Sequence, residues 1–132
     1  MIHITYLLFD KLNITEYEFS KGEFDSFDGR FTWNGIKYIL EIKDRQIRST
    51  AYSTAIMEVD KLKSLIDLKE ADEQICYLNF YTDNVAVMFT NKDIKKGTIT
   101  QKMCNKTTAV DRGKRLKKVV EINIDNAEKF TL

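Results

Sequence analysis

Asp28, Glu41 and Lys43 are the residues of this chain whose types and spacing could do chemistry. Two carboxylates brought together, with an ammonium two residues from one of them, form a set that can ligate a hard divalent cation and offset charge on a phosphate. Like charges set opposite one another in an antiparallel ladder cost about 0.2–1 kcal/mol, so such a pairing needs a compensating partner. A bound cation reverses the sign. Mg²⁺ takes one or two carboxylates, keeps several waters and completes its octahedron with substrate phosphate, which makes Mg²⁺ or Mn²⁺ the expected cofactor. Lys43 then orients the attacking water or stabilises the developing charge.

The element that must position these groups is a hairpin. Two β-rich runs, 27–33 and 36–45, flank Asn34-Gly35, a pair that tolerates the positive φ angles of a type I′ turn. A two-residue loop there sets Asp28 opposite Glu41. Alternation puts Phe27, Gly29, Phe31 and Trp33 on one face with Ile36, Tyr38, Leu40 and Ile42, and leaves Asp28, Glu41 and Lys43 on the other. Downstream, Ala55, Val59, Leu62 and Ile66 recur at helical spacing, widened by Leu65 and Leu68, which predicts a helix over 54–68 capped by Ser53 or Thr54. Strands are expected at 16–20, 74–81, 85–90 and 117–124, a short helix at 2–12 and a loop at 21–26. The order predicts an α/β (α+β) fold around a mixed sheet.

Composition narrows the classes. At 132 residues, 43% hydrophobic and 31% charged, with no proline and no low-complexity linker, the chain is expected to form one domain over 1–132. No apolar run approaches the roughly 20 residues that cross a bilayer, so no membrane partner and a cytoplasmic location are expected. Cys76 and Cys104 stand apart in sequence without a nearby histidine, against a zinc site or a disulfide scaffold. The single histidine, His3, leaves little support for serine-histidine or cysteine-histidine catalysis. The net charge of +1 hides an asymmetry: residues 92–118 hold ten basic and two acidic residues, a balance of +8, against −7 elsewhere. Such a segment is either a solvated face or the footprint of a surface that meets a polyanion.

Asp28, followed thirteen residues later by Glu41-Ile42-Lys43, resembles the Asp…(Asp/Glu)-x-Lys signature of the PD-(D/E)xK phosphodiesterases. The resemblance covers roughly 27–90. It implies a restriction-endonuclease-like mixed central sheet, with the active-site hairpin flanked by helices. It also implies hydrolysis of DNA phosphodiesters by metal-activated water, with Asp28 and Glu41 as ligands and Lys43 assisting the water. Within the superfamily the chain looks most like small phage-borne proteins, with Tyr52, Glu58 to Lys61 and Lys106-Thr107-Thr108-Ala109 in matching order, which implies the cytoplasm of a bacterial or phage-infected cell. Its size is similar to that of dimeric Holliday-junction resolvases, which implies a homodimer. Phe27 replaces the proline of the family name, and the glutamate many members carry on their first helix has no counterpart in 1–12, so either Glu16, Glu23 or Asp25 substitutes or the site holds one metal instead of two. The alternative is a catalytically inactive nucleic-acid- or protein-binding module on the same fold.

Secondary candidates surround this set. Glu58 and Lys61, three apart on the expected helix, form a surface ion pair or act beside the site, and Tyr52 packs or stacks on a base. Lys106, Thr107, Thr108, Arg112, Lys114 and Arg115 offer the hydroxyls and cations that hold phosphates without reading sequence. If they grip DNA, replacing Lys114 and Arg115 together with alanine weakens binding and lowers the slope of log affinity against log salt by about 2, read from anisotropy titrations. An unchanged slope would count against the grip.

Overall fold

The computed structural model describes residues 2–22, 26–105 and 114–132. Asn34 and Gly35 take φ angles of 52° and 77°, the doubly positive turn expected of them, and join β2 (Gly29–Trp33) to β3 (Ile36–Asp44). Their register runs from Trp33 against Ile36 to Gly29 against Leu40, and so carries Asp28 to Glu41 one step beyond the ladder. β1 (Glu16–Phe19) pairs antiparallel on the outer side of β2, after the helix α1 (Ile2–Lys11). On its other side β3 runs parallel to β5 (Glu73–Phe80), which turns at Asn84 into the antiparallel β6 (Val85–Thr90).

A parallel neighbour requires a crossover. Here it consists of β4 (Thr54–Glu58) and the helix α2 (Val59–Leu68). The first third of the expected helix over 54–68 is therefore strand. Thr54, Ile56 and the alternately buried Ala55 and Met57 suit a pleat, and β4 pairs antiparallel with β8 (Lys114–Asn123), itself paired with β7 (Thr98–Asn105). Glu58, not Ser53 or Thr54, stands at the N-cap of α2, without a side-chain cap bond. A short helix α3 (Asn91–Lys95), opened by a Thr90–Asp93 capping box, and an edge strand β9 (Glu128–Thr131) complete the described elements; neither they nor β7 were foreseen from the sequence. The larger sheet has the order β1-β2-β3-β5-β6-β9, the smaller one β4-β8-β7.

Both faces of the larger sheet are covered. Tyr38, Leu40, Cys76, Leu78 and Phe80 pack against Leu8 and Phe9 of α1, as the apolar side of the hairpin predicts. Ile39, Ile75 and Tyr77 face Leu65 of α2 and Met57, Val120 and Ile122 of the smaller sheet. Phe27 departs from expectation. Preceding the strand, it packs on this second face, its ring under the Arg30 guanidinium at 4.5 Å. The candidate carboxylates thus share their face with a hydrophobic core. No helix among the described residues is long and apolar enough to cross a membrane.

Gly29, next to Asp28, lies tight against β1: a Cβ there would lie 2.7 Å from the Glu18 carbonyl oxygen and 3.2 Å from the Phe19 ring. Backbone cannot yield as a side-chain end can, so Gly29→Ala is expected to cost about 1–3 kcal/mol in urea unfolding. A loss under about 0.5 kcal/mol would show that β1 does not dock as described.

Candidate active site

Asp28 is fixed by three hydrogen bonds. Its N–H donates to the Leu40 carbonyl at 2.8 Å, its carbonyl accepts from Ser20 N–H at 2.9 Å, and its Oδ2 accepts from Ile42 N–H at 2.7 Å. The last replaces a ladder bond: where β2 ends, the Asp28 carboxylate satisfies the next donor of β3. That anchors the carboxylate against the strand that carries Glu41.

Glu41 lies mid-strand beside Tyr77 of β5, with its side chain 14% exposed. Its pKa is pushed up to about 8, first by burial and then by the Asp28 charge, while the Lys61 and Lys43 ammonium groups pull it down. Lys61, in the first turns of α2, reaches the Glu41 carboxylate at 3.8 Å and donates to the Ser26 carbonyl at 3.4 Å. Lys43 is half-buried on the Glu41 side of β3 and pairs with no described residue. The structure therefore brings together Asp28, Glu41, Lys43 and, from the secondary candidates, Lys61.

The donor set suits a hard cation. Glu41 without one holds a proton at neutral pH, and a divalent ion would supply the positive charge its carboxylate lacks. Two carboxylates are the kind of oxygen donors that Mg²⁺ and Mn²⁺ take. No group of three or more histidine, cysteine or acidic residues that could hold a metal occurs among the described residues. Glu16 sits across from Thr32, toward the far end of β2 from Asp28, and does not join the pair. Glu23 and Asp25 lie outside the described residues.

The remaining candidates divide. Glu58 turns away from Lys61 and bonds Lys117 of β8 at 2.8 Å, so the expected pair on one helix face is not formed; the strand-to-helix break at Glu58 removes their common face. Tyr52 is 66% exposed, on the segment between β3 and β4. Lys106, Thr107, Thr108 and Arg112 lie outside the described residues. Lys114 opens β8, and the exposed Arg115 lines a cleft with Lys63, Lys117 and Lys118 beside the start of α2. The basic segment is nonetheless split in space, because Lys92 and Lys95 sit near Trp33 and Ile36, at the hairpin-turn end of the sheet.

Sequence reasoning missed a polar cluster on the same face. Arg45 Nε donates to Asn79 Oδ1 at 2.7 Å, and its Nη2 donates to the Tyr77 hydroxyl at 2.7 Å and the Ile56 carbonyl at 2.6 Å. Asn79 is fully buried, and its Nδ2, beside the Tyr77 hydroxyl, meets no acceptor at bonding geometry. The available signal was the continued alternation Glu41, Lys43, Arg45. Compared with protein-family models, curated proteins and solved structures, the chain gives no match.

The raised Glu41 pKa has a consequence for folding. Between pH 4.5 and about 8 the folded state keeps a proton that the unfolded state has lost, so stability falls as pH rises through that window. In chelator, wild type is expected to lose about 2–4 kcal/mol from this group between pH 5 and pH 8, and Glu41→Gln to lack the loss. Millimolar Mg²⁺ restores part of it at pH 8. Parallel stability curves for the two proteins would refute the buried, uncompensated Glu41.

Proposed function

We propose that this protein is a metal-dependent DNA nuclease of the PD-(D/E)xK type, hydrolysing phosphodiester bonds with metal-activated water. The observation that carries this reading is the hairpin register, which sets the Asp28 and Glu41 carboxylates together with Lys43 on the same side of the strand. The mixed α+β sheet, the hairpin and the α2 crossover between parallel strands support this reading at the level of fold class.

Asp28 and Glu41 would hold Mg²⁺ or Mn²⁺, which when bound polarises the phosphoryl oxygen and acidifies its water. Asp28 is preorganised for this, since the Ile42 N–H keeps one of its oxygens in place and its carboxylate lies within hydrogen-bond reach of Glu41. Lys43, unpaired by any described residue, is available to the phosphate, where its ammonium offsets developing charge and orients the nucleophilic water. Lys61 holds Glu41 from the helix side and neutralises part of the pair before substrate binds. Arg115, Lys117 and Lys118, near the start of that helix, would extend the cationic surface along the DNA backbone. A second copy of the chain would let so small a subunit span a duplex or junction, and the bacterial or phage-infected cytoplasm is where it would meet that DNA.

Cleavage of single-stranded, duplex and branched DNA, with Mn²⁺ and Mg²⁺ titrated into wild type, Glu41→Gln and Lys43→Ala, tests the assignment. Cleavage should require metal and fall at least about 100-fold in each variant, with metal affinity reduced in Glu41→Gln and little changed in Lys43→Ala. No cleavage, with equal metal affinity in wild type and Glu41→Gln, would replace the nuclease with a binding module on the same scaffold.

A further inference from the structure

β3 leads from the carboxylates into a second site. Past Lys43, Arg45 borders a cavity of about 340 Å³ whose wall includes Ile47, Tyr52, Ile56 and Tyr81. That volume falls within the roughly 300–1,000 Å³ of small-ligand sites. Arg45 is half-buried, its three side-chain hydrogen bonds all go to neutral acceptors, and no described carboxylate forms an ion pair with it. The one carboxylate in the wall, Glu121, is taken by Lys102 at 2.9 Å. A guanidinium withdrawn from water, oriented by three bonds and without a counter-ion among the described residues, is suited to an anion, and its Nη1 donates to no described residue. At the same cavity the Tyr52 side chain is 66% exposed, while Tyr81 is buried behind it. An exposed aromatic ring, apolar walls and one uncompensated cation match the parts of a nucleotide: a planar base and a phosphate.

We propose that this cavity is a nucleotide subsite, which takes one unpaired nucleotide of the substrate strand with its phosphate at Arg45 and its base against Tyr52. The identity of the strand rests on the nuclease reading; the requirement that the nucleotide be unpaired goes beyond it. A base stacked inside a duplex cannot enter a cavity of this kind without leaving the helix, so the substrate class is single-stranded or frayed DNA. Spacing along β3 is compatible. Arg45 follows Glu41 by four residues on the same side of the strand, about 13 Å, a reach of a few nucleotides from the scissile phosphate.

The probe is a six-nucleotide single strand carrying one central 2-aminopurine, titrated in chelator with the Glu41→Gln protein, and the same base placed inside a blunt duplex. Fluorescence should be quenched with the single strand and not with the duplex. Adding Tyr52→Ala, a change at an exposed residue that leaves the melting curve in place, should weaken binding about five- to tenfold and remove most of the quenching. Arg45→Lys, which keeps the charge but loses the planar fork, should weaken binding while the quenching at saturation remains. Equal quenching by single strand and duplex, or binding unchanged in Tyr52→Ala, would overturn the subsite. Metal-dependent cleavage by wild type together with that second result leaves the nuclease standing and removes the subsite. Single-strand quenching lost in Tyr52→Ala, with no cleavage under either metal, does the reverse.

Discussion

Everything proposed for this site depends on a two-residue turn. Asn34 and Gly35 at positive φ allow one tight register between β2 and β3, and a slip of one residue would send Glu41 and Lys43 toward α1 and Leu40 and Ile42 toward α2. The apolar packing of Phe31, Tyr38 and Leu40 against Leu8 and Phe9 opposes that slip from one side. Ile39, seated in the core beneath α2, opposes it from the other. The register is therefore determined twice, by local turn geometry and by burial on both faces, and the Ile42 N–H then holds the Asp28 carboxylate in place. The mutual repulsion of the two carboxylates, of the order of 1 kcal/mol or less in an exposed ladder, is small beside the roughly 1.5–3 kcal/mol gained for each large apolar side chain buried.

The second core is what withdraws this polar face from water. Had the Asp28 side of the hairpin faced water, Glu41 would ionise near its usual pKa and the cost of the pair would be screened. Covering that side with α2 and the β4-β8-β7 sheet desolvates Glu41, and burial becomes the largest cause of its raised pKa. The same covering helix delivers Lys61, which relieves part of the cost from 3.8 Å, too far for a well-formed ion pair. The carboxylate is left partly compensated, the condition in which an additional cation has most to gain.

What was legible in the sequence followed from local rules. The hairpin, its register, the β5–β6 pair and the apolar alternation could be read because turn chemistry and period-2 patterning act over a few residues. The second sheet could not. β4 was hidden because Ala55 and Val59 fall at helical spacing even though Ala55 belongs to a strand, and β4 acquires its identity only by pairing with β8, some sixty residues away in sequence. Glu58 was misassigned for the same reason, since its true partner, Lys117, is reached through that pairing. Arg45 was passed over because a charged residue at a strand end reads as solvated, and only the parallel neighbour β5, with Tyr77 and Asn79, encloses it. Non-local strand pairing is the information a single sequence states least directly.

Two arginines show how the fold treats a partly buried guanidinium. Arg30 meets the buried carboxylate of Glu73 at 3.0 Å, donates to the Leu68 carbonyl at 3.1 Å and stacks over Phe27, so its charge is matched and its role is to tie β2 to the end of α2 and the start of β5. Arg45, comparably enclosed, donates among the described residues only to neutral acceptors. Folding alone does not favour that arrangement, because the desolvation of a cation is offset far better by a carboxylate than by an amide, a hydroxyl and a carbonyl. Among the described residues, Glu73 is supplied to one guanidinium and no carboxylate to the other, which leaves positive charge in reserve on one side of β3, beside the ammonium of Lys43. Running from Glu41 through Lys43 to Arg45, the chain passes from a carboxylate only partly compensated by Lys61 to cations without an anion among the described residues. A metal and a polyanion bound together would satisfy both deficits at once.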